Sequence, residues 1–297
     1  MIISNTEVTT FNTCQRQHYF RFGLQVEPKF TTLSKAIQRG IVGHKCLEAY
    51  YLALKSGESF ENAKKITFVI LNDEIAKIVN EFPDEFELIQ TLVDLKRILE
   101  GYFEVYRNET FEVLEVESFF SAPVGPGIEY GMKLDVLACM TSGEFKGDLV
   151  VVDHKFVYNF KTMAELEMDG QLAKYVQTCR ANGHYVSKGI FNQLRYRVLK
   201  DPNPANLYRR DMVKATARER EQIWKEQLIA AERIEKFNLM GKDAWSANAV
   251  RNLNPLVCRG CFFQKLCKEE LQGNDIQNTL VLNYQPNTYG YSDLNED

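Results

Sequence analysis

The chain has 297 residues, of which 45% are apolar, and its net charge is −4, a composition that suits a globular protein with a sizeable core. It contains no run of about eighteen apolar residues and no basic and apolar leader at its start, so we expect a cytoplasmic protein without a membrane partner. Neither GxxxxGK[ST] nor GxGxxG occurs, which excludes these common signatures of ATPases and dinucleotide-binding sites.

The spacing of apolar residues and the turn signals predict helices and strands along the whole chain. Ser4-x-x-Glu7 is a capping-box pattern, so the first helix should begin there. The predicted elements, in chain order, are helices at 4–23, 34–56 and 91–107, strands at 111–120, 132–140 and 148–157, a helix at 163–182, a strand at 189–198 and a helical region at 208–241. We expect one domain over residues 1–270, with a core at about 90–200 and helical parts at 1–60 and 205–270, and a polar, disordered tail at 271–297.

Charge is distributed unevenly along these elements. Acidic residues exceed basic residues by nine between positions 71 and 120, whereas basic residues exceed acidic residues by eight between positions 171 and 220. The basic block is suited to attract phosphate groups, and a solvated helix face explains the same count equally well.

Charged residues interrupt the apolar strand LVVVDHKF at 149–156. Alternation along a strand places Asp153 and Lys155 on one face and His154 on the other, and Asp135 lies in the strand that should pair with this one. Two carboxylates and a backbone carbonyl are hard ligands for Mg²⁺ or Mn²⁺, and Lys155 would help to deprotonate a bound water or would hold a phosphate. A buried Asp–Lys ion pair with a purely structural role explains the strand, taken alone, equally well.

The order of these residues resembles the PD-(D/E)xK nuclease superfamily, in its RecB-like branch. The matching residues lie within positions 4–267 and comprise RGxxxH at 39–44 followed by Leu47-Glu48, GMKLD at 131–135, Asp153-His154-Lys155 and Gln171-x-x-x-Tyr175. The resemblance implies an α/β fold with a restriction-endonuclease-like core, in which helices flank a mixed sheet. It further implies that N- and C-terminal helical parts are joined at a metal cluster.

The resemblance also implies roles for individual residues. The implied metal ligands are His44, Asp135, Asp153 and the carbonyl group of His154. An acidic residue on the first strand belongs to the pattern, and Glu117 fits best, with Glu115 on the same face as the alternative. The implied catalytic residues are Asp135, Asp153, Lys155, Glu117, Gln171 and Tyr175, of which Gln171 and Tyr175 would also contact DNA. Arg180, Arg195 and Arg197 of the basic block are candidates for further contacts with the phosphate backbone.

Three of the seven cysteines, Cys258-x-x-Cys261-x5-Cys267, have the spacing of soft-metal ligands but lack a fourth. On this spacing, zinc and an iron-sulfur cluster both remain open. The segment that ends at Cys14 resembles the start of RecB-like nucleases such as the AddB nuclease domain and CRISPR spacer-acquisition nucleases. In those proteins one N-terminal and three C-terminal cysteines hold a [4Fe-4S] cluster, so the resemblance implies a cluster bound by Cys14, Cys258, Cys261 and Cys267.

The function implied by this family is Mg²⁺- or Mn²⁺-dependent hydrolysis of phosphodiester bonds in DNA, most readily as an exonuclease acting on linear ends in recombination, repair or CRISPR adaptation. Because the chain has no helicase motif, a separate helicase or recombinase is an expected partner. Two other functions remain open: a DNA-end-binding subunit that recruits such a partner without cutting, and a zinc-stabilised RNA-processing protein. The clustered carboxylates argue against pure binding, because they repel phosphates unless a metal is bound.

Overall fold

The computed structural model describes residues 1–30, 33–200 and 203–287. Its elements, in chain order, are β1 (Ile2–Ser4), α1 (Asn5–Thr13), α2 (Gln15–His18), a π-helical turn (Tyr19–Gly23), β2 (Val26–Pro28), α3 (Lys35–Lys55), α4 (Phe60–Glu81), α5 (Phe86–Val105), β3 (Phe111–Gly125), β4 (Ile128–Met140), β5 (Leu149–Val157), α6 (Met163–Glu167), α7 (Gln171–Ala181), β6 (Lys188–Arg195), α8 (Pro204–Leu207), β7 (Tyr208–Lys214), α9 (Ala217–Leu239), α10 (Lys242–Asn248), α11 (Pro255–Arg259), α12 (Gln264–Leu271), α13 (Gln277–Asn283) and β8 (Tyr284–Pro286). No helix in these described ranges is long and apolar enough to cross a membrane.

The described chain divides into two compact units. The first comprises residues 1–33, 123–130 and 225–297, and the second comprises residues 34–122 and 131–224. The predicted boundary of the core at about residue 90 therefore differs from the boundary of the second unit, which begins at residue 34 and includes α3 and α4.

A mixed sheet forms the centre of the second unit. Strand β5 pairs antiparallel with β4 and parallel with β6, while β7 pairs antiparallel with β6 and β3 pairs with β4. Asp135 directly precedes Val136 and Asp153 directly follows Val152, and Val136 and Val152 are partners in this antiparallel pair, so two acidic residues of neighbouring strands approach each other. Val150, Val151 and Val152 are fully buried, as the apolar run in the sequence predicts.

Helices cover both faces of this sheet. On one face α3 and α5 pack, and His154 stacks against Tyr51 of α3. On the other face α7 packs, because Gly189 of β6 leaves room for the side chain of Leu172. The predicted α/β class, with a mixed sheet flanked by helices, is confirmed.

Three element predictions need correction in this unit. Residues 208–214 form the strand β7 and not the start of a helix, because they complete the edge of the sheet beside β6. The predicted helix at 163–182 is divided into α6 and α7, which the chain joins through Gly170. Helix α4, which was not predicted, begins where the side chain of Ser59 accepts a hydrogen bond from the backbone N–H of Asn62.

The first unit is built mainly from the N-terminal and C-terminal parts of the chain. The side chain of Ser4 caps α1 as predicted, since it accepts a hydrogen bond from the backbone N–H of Glu7. The predicted first helix is interrupted at Cys14, whose backbone is extended. An aromatic and aliphatic core holds the unit together, and its buried members include Phe20, Trp245, Phe263, Leu266 and Tyr284.

The prediction of a disordered tail from residue 271 is wrong for the described part of that segment. Residues 277–286 form α13 and β8, and β8 pairs antiparallel with β2 so that Val26 lies opposite Pro286. The ring of Tyr284 stacks on the ring of Phe263 at 5.3 Å, which gives the polar segment an apolar anchor that composition does not reveal. Residues 288–297 lie outside the described residues.

Candidate metal centre and active site

Three side chains from three elements of the second unit meet in a group that can hold a metal ion. His44 of α3, Glu117 of β3 and Asp135 of β4 each offer a ligand atom, and these atoms all lie within 4.8 Å of one another. His44 Nδ1 lies 3.4 Å from Asp135 Oδ2, and the same oxygen accepts a 2.7 Å hydrogen bond from the backbone N–H of His154. One imidazole and two carboxylates form a donor set that suits a hard or borderline divalent ion.

The backbone of Glu117, one member of this group, is strained. Its φ angle is 48°, in the left-handed region that a side-chain-bearing residue enters only at a cost of about 1–3 kcal/mol. Burial, and then the charge of Asp135, raise the pKa of the Glu117 carboxyl, while Lys133 at 3.1 Å opposes them. The alternative residue, Glu115, lies outside the group and pairs with Lys55 at 2.7 Å.

A chain of hydrogen bonds connects the other predicted active-site residues. Lys155 Nζ lies 3.0 Å and 2.8 Å from the two carboxylate oxygens of Asp153 and donates to Gln171 Oε1 at 3.1 Å. The amide group of Gln171 in turn donates to the hydroxyl group of Tyr175, one helical turn further along α7. The structure therefore brings Asp153, Lys155, Gln171 and Tyr175 together on the face of the sheet that α7 covers.

Burial and mutual charge set the protonation of Asp153 and Lys155 in this hydrogen-bonded series. Asp153 is only 3% exposed, and burial raises its pKa to about 6, although the ammonium group of Lys155 opposes the rise. Burial by itself lowers the pKa of Lys155, but the carboxylate of Asp153 outweighs it and the net shift is upward. Lys155 is thus held as a cation that can donate hydrogen bonds to an anionic ligand.

The ring of His154 faces away from Lys155 and belongs to a separate buried network. It stacks on Tyr51, with ring centroids 5.2 Å apart, and its Nδ1 accepts a 2.7 Å hydrogen bond from Asn192 Nδ2. Burial lowers the pKa of His154 to about 3, so the ring is neutral at ordinary pH. The ring thus lies on the face of the strand opposite Lys155, as the alternation predicts, while the backbone N–H of His154 donates to Asp135.

Sequence reasoning missed the residues that hold this network. Asn192 Oδ1 accepts from Arg210 Nε at 3.3 Å, and the guanidinium group of Arg210 donates to both carboxylate oxygens of Glu109 at 2.6 Å and 2.8 Å. Arg210 also donates to the hydroxyl group of Tyr102 at 2.8 Å. The sequence YRRDMVK at 208–214 shows no alternation that would indicate a strand, so no local signal points to Arg210.

Each of the three candidate arginines has a partner within the chain. Arg180, at the end of α7, donates to the carbonyl group of Val186 at 3.1 Å. Arg195, at the end of β6, donates to the carbonyl group of Asn206 at 3.1 Å, and Arg197 follows two residues later. Their contacts with a phosphate backbone stay a prediction.

The four candidate cluster ligands line one cavity of the first unit. The cavity has a volume of about 490 Å³, and its lining includes Cys14, Cys258, Cys261 and Cys267. Burial raises the pKa of Cys261 to about 11 and also raises that of Cys267, which Arg251 opposes. The four sulfur atoms are not arranged as a metal-binding group, since they do not all lie within 4.8 Å of one another.

Comparison with known proteins identifies a family and a distant structural likeness. The family model of the PD-(D/E)XK nuclease superfamily matches residues 2–268. The chain is similar to the crystal structure of SSO0001, with 13% sequence identity over 65% of this chain and 79% of that chain and a TM-score of 0.33. No curated protein sequence matches the chain.

Proposed function

The chain belongs to the PD-(D/E)XK nuclease superfamily, whose members are usually metal-dependent nucleases, and from this premise we propose that it hydrolyses DNA from linear ends with Mg²⁺ or Mn²⁺. The substrate would be DNA in recombination, repair or CRISPR adaptation. A separate helicase or recombinase would supply the motor activity for which the sequence has no motif.

The observation that carries the proposal is the convergence of His44, Glu117 and Asp135 within 4.8 Å, beside the Asp153–Lys155 pair. A structural ion pair does not require a strained left-handed glutamate or a third carboxylate. Asp153 and the carbonyl group of His154 would complete the ligand set.

In the proposed hydrolysis, different residues of this chain would have different roles. A bound divalent ion would lower the pKa of a coordinated water and neutralise charge on the phosphate. Lys155 would hold a phosphate oxygen or orient the attacking water, because Asp153 and Gln171 use two of the three donors of its ammonium group and leave one. Gln171 fixes the position of Lys155, and Tyr175 fixes the orientation of the Gln171 amide.

The test is incubation of the purified protein with Mg²⁺ or Mn²⁺ and end-labelled linear DNA, single- and double-stranded, beside a covalently closed circle. We expect loss of the linear DNA alone, and its abolition by Asp153→Ala and by Glu117→Gln. Glu115→Gln is the matched control on the same strand and should keep activity. Absence of cutting with every substrate would contradict the proposal and favour a non-cutting DNA-end-binding subunit.

We also propose that Cys14, Cys258, Cys261 and Cys267 hold a [4Fe-4S] cluster. With Zn–S bonds of about 2.3 Å, the sulfurs of a tetrahedral zinc site lie only about 3.8 Å apart. Thiols spread around a cavity of about 490 Å³ leave room for a larger group whose four irons each take one cysteine. Such a group would join α1 to the C-terminal segment.

The cluster can be tested by anaerobic purification, with measurement of iron, sulfide and zinc and of visible absorption. We expect a brown wild type and a Cys258→Ser variant that is colourless and less stable. Cys139→Ser is the control, since this half-buried cysteine of β4 does not line the cavity. A colourless wild type that contains zinc would favour the zinc alternative.

A further inference from the structure

Two tyrosines at the carboxyl ends of β5 and β6 form a surface that the nuclease proposal does not use. Tyr158 directly follows β5, Tyr196 directly follows β6, and their ring centroids lie 5.8 Å apart with the rings tilted by 59°. The strands are parallel, so both ends lie at the same edge of the sheet. We call Tyr158 and Tyr196 the tyrosine platform.

Each ring of the platform has a guanidinium group over one face. Arg197 lies over the Tyr158 ring at 5.3 Å, and Arg39 lies over the Tyr196 ring at 4.2 Å. These contacts fix the rings and place positive charge beside them. Tyr158 is nevertheless 53% exposed, which leaves ring surface available for stacking.

A second set of an aromatic ring and arginines follows two residues after Tyr158 in the sequence. Phe160 has two guanidinium groups near its ring, that of Arg195 at 4.1 Å and that of Arg209 at 4.7 Å from the ring centroid. Alternating aromatic rings and arginines are the composition of surfaces that bind single-stranded nucleic acid, where the rings stack on bases and the cations pair with phosphates.

The platform lies close to the candidate metal centre along two independent elements. Tyr158 is three residues beyond Lys155 on the same extended segment, about 10 Å at the rise of a strand. Arg39 is five residues before His44 on α3, about 7.5 Å along the helix axis. These spans correspond to about two or three nucleotides at the 3.4 Å rise of a stacked strand.

We propose that the tyrosine platform stacks on bases of an unpaired DNA strand whose phosphate occupies the candidate metal centre. This inference rests on the proposed DNA substrate and narrows it to single-stranded or frayed ends. Bases in a closed duplex are stacked on one another, so their faces are not available to Tyr158. The arginines beside the rings supply positive charge that attracts the phosphate backbone, whereas the acidic residues of the metal centre repel it.

The test is binding of a fluorescent 15-nucleotide single strand and of a blunt 15-base-pair duplex, measured by anisotropy in Ca²⁺ so that cleavage is not required. Tyr158→Ala should raise the Kd for the single strand about tenfold and the Kd for the duplex far less, as expected for loss of one stacked base. Tyr158→Trp should retain single-strand binding. The matched control is Tyr185→Ala, since Tyr185 is 79% exposed and has Arg180 over its ring at 5.6 Å, but precedes β6.

Four outcomes would overturn the inference: no binding of the single strand by the wild type, an unchanged Kd for Tyr158→Ala, an equal loss for strand and duplex, or an equal loss for Tyr185→Ala. The results that would contradict the nuclease proposal differ from those that would contradict the tyrosine platform. A wild type that cuts DNA but shows no effect of Tyr158→Ala would contradict the platform alone. An inactive wild type whose single-strand binding depends on Tyr158 would contradict hydrolysis and support the platform.

Discussion

At the scale of single residues, the candidate active site depends on a charge that is far from it in sequence. Arg210 and Glu109 are 12% and 11% exposed, and their ion pair orients Asn192, which in turn orients the ring of His154. The backbone N–H of His154 holds Asp135. The pair therefore positions a candidate metal ligand without touching it.

Replacement of one residue of the Arg210–Glu109 ion pair should lower the free energy of unfolding more than replacement of both. Arg210→Met leaves the Glu109 carboxylate buried and unpaired, so we expect a loss of about 3–5 kcal/mol in the free energy of unfolding, measured in urea. The double variant with Glu109→Leu should lose clearly less. Losses that simply add in the double variant would show that the two residues are not coupled.

The residues of the candidate site differ in how far the sequence predicts them. Asp153 and Lys155 could be predicted because they interrupt an apolar strand, and alternation alone assigns their face. The preference for Glu117 over Glu115 rested on resemblance, and the structural difference between them, a left-handed backbone at Glu117, leaves no trace in a strand-like sequence. Arg210 was missed because its partner is 101 residues away and lies between α5 and β3.

At the scale of elements, the approach of α3 to β5 places His44 at the metal centre. The approach is possible because Gly43 has no side chain where the ring of Phe156 lies, whereas Gly40, one turn earlier, has no atom within 4 Å of an added Cβ. Both glycines occur in the RGxxxH segment. Packing of α3 against β5 therefore requires a glycine at position 43 but not at position 40.

Substitution of these two glycines by alanine should have opposite effects. Gly43→Ala would force α3 away from β5 and should lower the free energy of unfolding by about 1–3 kcal/mol. Gly40→Ala should raise it by up to about 1 kcal/mol, because alanine has a higher helix propensity than glycine and the added Cβ meets no neighbour. Urea denaturation of both variants is the measurement, and equal effects would contradict the packing argument.

The bounds of α3 could be predicted closely, while those of β7 could not. Ser34 and Ser56 bracket α3 and the apolar spacing between them is helical, so local signals suffice. Residues 208–214 precede a strongly helical segment, and only pairing with β6 makes them a strand. The helix interruption at Cys14 likewise depends on contacts with residues such as Asn252, whose backbone N–H donates to the Cys14 sulfur.

At the scale of the whole molecule, each compact unit is assembled from separated parts of the chain. The pairing of β2 with β8 joins residues about 260 positions apart, and composition alone assigned the second strand to a disordered tail. Both units also bury tyrosines: Tyr208 in the second unit and Tyr284 in the first each have a pKa raised to about 12 by burial. Their protonation is therefore linked to the stability of both units.

The raised pKa values predict a loss of stability in alkali. Above the unfolded value of about 10, the unfolded chain releases tyrosine protons that the folded chain retains until about pH 12, so the free energy of unfolding should fall between these values. Each such group contributes up to about 1.4 kcal/mol per pH unit. Urea denaturation at pH 8, 10 and 11 measures the slope.

The contribution of one tyrosine can be isolated within the same measurement. Tyr208→Phe removes a titrating group and its 2.9 Å hydrogen bond to the carbonyl group of Ile98, so it should lower stability by about 1 kcal/mol at pH 8 but make the alkaline loss shallower. If the free energy of unfolding falls with pH equally steeply in Tyr208→Phe and the wild type, ionisation of the Tyr208 hydroxyl group does not cause the alkaline loss of stability.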